Sequence, residues 1–123
     1  MAFHAVDTNT YETVYFRPFN FKHPDSLRKK WSVQYMVVPR YGYDTLRKAH
    51  PLVYENAVTP VPDPDGWFHA TIVVKDDWIR VYINHAKEAS LAVRKLDHLH
   101  NGRLGLWGYE TMNGDFANLS ITQ

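Results

Sequence analysis

The chain has no cysteine in its 123 residues. That excludes a disulfide framework, a thiolate zinc site and a thiol nucleophile. No apolar run approaches the ~20 residues of a membrane-spanning helix, so no membrane partner is expected. An excess of one charge sign is missing too, since 14 Lys and Arg stand against 13 Asp and Glu and leave a formal net charge of +1. Nucleic-acid binders carry a basic stripe, whereas the densest basic cluster here is Arg28-Lys29-Lys30, which reads as a solvated loop or helix end. No nucleic-acid partner is expected. The opening MAFHAVDTNTY has no basic stretch followed by an apolar one, so this chain shows no secretory signal. A mature or truncated periplasmic or secreted protein would read the same way.

What is present is 45% hydrophobic and 15% aromatic residues, the composition of a folded chain. Residues 1–123 are expected to form one domain, burying roughly two-thirds of the surface the unfolded chain exposes. The dominant pattern has period two. Residues 2–6 (AFHAV) and 11–16 (YETVYF) read as a hairpin closed by Asp7-Thr8-Asn9-Thr10. Pairing Val6 with Tyr11 puts Phe3, Ala5, Val14 and Phe16 on a core face together with Glu12, expected near a strand end where it reaches water. The opposite face then carries His4, Tyr11, Thr13, Tyr15 and Arg17. Residues 32–38 (SVQYMVV) form the next strand, stopped by Pro39, with Gln34 and Met36 facing the polar side.

Two short segments, residues 23–30 and 44–50, have the form of single helical turns, the second with Asp44 as its cap. Three prolines within residues 59–66 suggest a stiff crossover between sheets rather than a domain boundary. Residues 67–75 (WFHATIVVK) and 78–83 (WIRVYI) form the clearest hairpin, turning at Asp76-Asp77 with Ile79, Val81 and Ile83 inward. Short strands follow at 90–93, 103–107 and 115–121. In the last of these Phe116 and Leu119 are three apart, so burying both requires a bulge. About eight short strands at regular spacing predict an all-β sandwich of two antiparallel sheets.

The order AFHAVDTNTYETVYFRPFNF, VQYMVVP, LRKAHP, VYE, WFHATIVV, WIRVYIN, SLAV, GRLGLW and GDFANLSI resembles the concanavalin A-like lectin/glucanase jelly roll. Within it, the chain is most similar to bacterial laminin G-like domains of 3-keto-disaccharide hydrolase type. The resemblance spans essentially the whole chain and implies a jelly-roll sandwich with a polar, aromatic concave face. It also implies missing N-terminal strands, because family members carry several strands ahead of the segment that matches residues 2–16. A strand edge left uncovered beside Phe3 and Ala5 would pair with a second copy, so a homodimer through that edge is expected.

The resemblance implies a carbohydrate-binding or carbohydrate-processing domain for glycans or keto-sugars. A glycosidic-bond hydrolase and a laminin G-like protein-interaction domain are the alternatives. The E-x-D-x-x-E strand of family 16 glycoside hydrolases, which sets two carboxylates on one face, is absent. So are G-x-S-x-G, Walker and G-x-G-x-x-G sequences. Sugars need an aromatic platform for the ring and planar donors and acceptors for the hydroxyls. The carbohydrate-binding candidates on the polar face are therefore His4, Tyr15, Arg17, Gln34 and Trp107. If the domain is catalytic, His4 and Glu110 are the candidates for acid and base. His98-x-His100 has only Asp97 nearby as a further ligand, and Asp63, Asp65 and Asp115 do not have the spacing of an EF-hand loop. No metal site and no cofactor is assigned.

Overall fold

A computed structural model describes residues 1–98, 101–108 and 114–122. Among the described residues the chain forms eight strands in two antiparallel sheets. The first sheet contains β1 (Ala2–Asp7), β2 (Thr10–Phe16), β3 (Val33–Val38), β4 (Glu55–Asn56) and β8 (Arg103–Gly105), ordered β4-β3-β2-β1-β8. The second contains β5 (Ala70–Lys75), β6 (Trp78–Ile83) and β7 (Leu91–Arg94) in sequence order. These strands are rich in Val, Ile, Tyr and Thr, which suit a pleated, half-buried surface.

The all-β sandwich expected from period two is present, and its core lies between the sheets. Phe3, Val14, Tyr35 and Val37 from the first sheet pack in one cluster with Ile79, Val81, Ile83, Leu91 and Val93 from the second. Ile79, Val81 and Ile83 are fully buried and alternate with the more exposed Arg80 and Tyr82. Each such aliphatic side chain contributes roughly 1.5–3 kcal/mol by leaving water. The proline-rich segment after β4 does carry the chain from one sheet to the other, and Asp76 and Asp77 do turn the β5–β6 hairpin, both at positive φ.

Among the described residues, two α-helices decorate the first sheet's connections. Asp25 caps α1 (Ser26–Lys29), its carboxylate accepting from the Leu27 amide at 2.9 Å. The second helix, α2 (Tyr43–Ala49), starts earlier than its sequence suggests. Gly42 is its cap, and Asp44 lies in the first turn, paired with Lys48 at 2.9 Å.

Four features depart from the sequence reading. The β1–β2 turn is tighter than a four-residue connection, because Asp7 pairs with Thr10 and only Thr8-Asn9 remain to turn. Strand β1 is irregular between Phe3 and Asp7, so Phe3 faces Glu12 rather than Val14, and His4 takes φ 49°. The edge of β1 is covered, since β8 pairs with it at Ala2–Gly105 and Ala5–Arg103. Finally, residues 115–121 form no strand. Phe116, Leu119 and Ile121 are more than half exposed, as expected where a three-residue apolar spacing meets no bulged partner strand. The eighth strand is instead the short β4.

Candidate functional site

The β2–β3 ladder is regular from Tyr11–Val38 to Phe16–Val33, so side-chain parity holds along it. Val14 and Tyr35 face the core, which sends Thr13, Tyr15, Gln34 and Met36 to the outer face of the five-stranded sheet. Pairing of Tyr15 with Gln34, and of Gln34 with Glu55, sets these three in one row across β2, β3 and β4.

Arg17 leaves the end of β2 immediately before Pro18, and its backbone N–H still bonds to the Ser32 carbonyl at 2.8 Å. Its side chain folds back over the row. Arg17 Nη2 donates to the Tyr15 hydroxyl and, at 2.9 Å, to Gln34 Oε1, while Nη1 donates to the Trp31 carbonyl at 3.2 Å. The Tyr15 hydroxyl donates in turn to Gln34 Oε1. The guanidinium carbon lies 4.6 Å from the Tyr15 ring centroid, a cation–π distance. Burial pushes the Tyr15 hydroxyl up to about 12, with the Arg17 charge opposing the rise, and burial also lowers Arg17 from its usual value.

Trp107 approaches the same face from beyond β8. Its indole N–H donates to Thr13 Oγ1 at 3.0 Å, and its ring centroid is 5.7 Å from that of Tyr15. A cleft of about 340 Å³ opens beside Trp107, bounded among others by Val6, Tyr11, Arg103, Leu104 and Leu106. Of the five candidate binding residues, Tyr15, Arg17, Gln34 and Trp107 are thus brought together.

The site also has members that period two does not reveal. Helix α2 brings Arg47 to Glu55, its Nε lying 3.2 and 3.3 Å from the two carboxylate oxygens. The Arg47 guanidinium also stacks on Trp31 at 4.0 Å and lies 5.7 Å from Tyr43. A signal did exist, since Tyr43 and Arg47 at i and i+4 share one helix face. Glu55 is buried beside Gln34, an unusual place for a lone acid in a strand.

His4 does not join this face. The irregularity in β1 turns it toward the core side, where its Nδ1 lies 2.5 Å from Glu12 Oε2. Glu12 does not reach water, being fully buried. It accepts from Lys95 Nζ at 2.8 Å and from the Tyr35 hydroxyl at 2.6 Å. Burial and the bond to Glu12 hold the Tyr35 hydroxyl far above its usual value. A smaller cleft of about 150 Å³ opens at His4 and Lys95, walled by Val74, Lys75 and the Asp76-Asp77 turn. Glu110 and His100 lie outside the described residues. Among the described residues no group of three or more His, Asp or Glu is arranged to hold a metal ion.

No protein-family model, curated protein or solved structure matches the chain.

Proposed function

We propose that the outer face of the five-stranded sheet binds a carbohydrate. The observation that carries this reading is the meeting of Tyr15, Arg17, Gln34 and Trp107, four residues from three separate chain segments, on one sheet face. Two aromatic rings offer a surface for the apolar face of a sugar, and the Arg17 guanidinium, held in place by the buried Gln34 carboxamide, offers planar hydrogen bonding to its hydroxyls. The cleft beside Trp107 and Tyr11 gives room for further sugar units. The resemblance of the chain to laminin G-like domains of carbohydrate-degrading bacteria supports the same reading. A glycan-array screen followed by thermal-shift titration tests it. Saccharide hits that raise the melting temperature, and that weaken in Arg17→Ala and Trp107→Ala, are the expected result. No hit on any saccharide would sink it.

A second reading, glycosidic-bond hydrolysis, is favoured by one observation, the 2.5 Å contact between the buried Glu12 and Nδ1 of His4, which lines the smaller cleft. Glu12, accepting at Nδ1, would orient the imidazole so that Nε2 serves as a general base. Release of reducing sugar that disappears in His4→Ala while saccharide affinity is retained supports this reading. Absence of product leaves binding alone.

A further inference from the structure

The outer face carries more donors than acceptors. Gln34 Nε2 and Arg47 Nη2 are both buried and have no hydrogen-bond partner. The Gln34 amide is oriented by Arg17, which can only donate, so Oε1 faces the guanidinium and Nε2 faces away from it. Arg47 Nη2 lies 3.1 Å from Glu55 Oε1, an ion-pair distance, but off the line that a hydrogen bond requires.

Charge is unbalanced in the same sense. Arg17 gives its hydrogen bonds to the Tyr15 hydroxyl, Gln34 Oε1 and the Trp31 carbonyl, all neutral oxygens. Glu55 is engaged by Arg47 through both of its oxygens. The neighbouring Lys48 and Asp44 neutralise one another on the exposed side of α2. Two guanidinium groups therefore share one carboxylate. They also share one ring, since Tyr43 lies 5.8 Å from the Arg17 and 5.7 Å from the Arg47 guanidinium carbon. Tyr43 is 52% exposed, the most exposed member of the group, and a ligand that reaches both cations has to displace its side chain.

We propose, resting on the carbohydrate reading above, that the ligand is an acidic saccharide whose carboxylate is received by Arg17, Arg47 and the Gln34 amide while its ring lies against Tyr15 and Trp107. A planar carboxylate matches the guanidinium fork and supplies the acceptors that the two orphan donors lack. A neutral sugar would leave the excess positive charge in place.

Isothermal titration of the chain with a galacturonate oligosaccharide, its carboxyl-reduced neutral counterpart and free acetate tests the proposal. The acidic oligosaccharide is expected to bind roughly tenfold or more tightly than the neutral one, a margin that shrinks in high salt. Gln34→Glu, which replaces the orphan donor by a carboxylate, should abolish that preference. Arg47→Gln should reduce it and serves if Gln34→Glu fails to fold by circular dichroism. Equal or tighter binding of the neutral oligosaccharide overturns the proposal and leaves the carbohydrate reading standing. Binding of acetate without either oligosaccharide, or no binding at all, overturns the proposal, and the carbohydrate reading falls with it only where the glycan array also gives no saccharide hit.

Discussion

Lys95 Nζ donates to Glu12 Oε2 at 2.8 Å with the two side chains 2% and 0% exposed, and the pair ties the residue after β7 to the middle of β2 across the sandwich. His4 and Tyr35 complete the shell around the same carboxylate. Removing one partner of a buried pair strands the other in the interior. Glu12→Ala is expected to destabilise the fold by about 3–5 kcal/mol, measured by urea unfolding. The double variant Glu12→Leu, Lys95→Met should recover a large part of that loss, because it leaves no uncompensated charge. A cost equal to the sum of the two single variants would contradict this account of the pair.

Alkaline pH should weaken the fold through Tyr15. Its hydroxyl, pushed up to about 12 by burial, remains protonated in the folded chain at pH values where the unfolded chain has already lost the proton at its ordinary value of 10.0. Between these values the folded state binds more protons, so stability falls as pH rises. The contribution is whole below pH 10 and is lost progressively up to about pH 12, a span of about 2–3 kcal/mol. Tyr35, raised further by burial and by its bond to Glu12, acts in the same direction. Denaturant midpoints measured from pH 8 to about pH 12 check this, and Tyr15→Phe should flatten the slope.

Gly102 sits at φ 143°, and a Cβ there would lie 2.6 Å from the His4 carbonyl carbon and 2.9 Å from both Ala5 N and Ala5 O. These are backbone atoms of the irregular stretch of β1, so no side-chain rotation relieves the clash. Gly102→Ala should destabilise by more than about 1 kcal/mol by thermal or urea unfolding. Gly105→Ala, where a Cβ meets no atom within 4 Å, is the control and should be near neutral.

The outer face was legible where the strands are regular. Alternation in residues 11–16 and 32–38 assigns Tyr15 and Gln34 to one side, and the unbroken β2–β3 register keeps them there. His4 leaves the face that alternation gives it because period two carries no mark of an irregularity whose space is made by Gly102, far along the chain. Alternation puts Glu12 on the core side, but its burial away from water depends on Lys95, 83 positions away, which local pattern cannot supply. Arg47 and Glu55 are hidden from the sequence pattern for a related reason. A helix of seven residues looks too short to pack as a principal element, yet it buries Leu46 and delivers a guanidinium to the row begun by Tyr15. Residues 115–121 have strand-like composition, but Phe116 and Leu119 cannot share a face at period two, and that conflict prevailed over propensity.

Carbohydrate recognition by the outer face is tested most directly by amide and indole NMR shifts during titration with a saccharide found in the screen. The Trp107 indole N–H, bonded to Thr13, and the Gln34 side-chain amide should move together and saturate at one affinity. The Trp78 indole, on the other sheet beside Arg80 and Arg94, should stay in place. Shifts confined to Trp78 and strands β5 to β7, or no shift with any saccharide, would contradict the account.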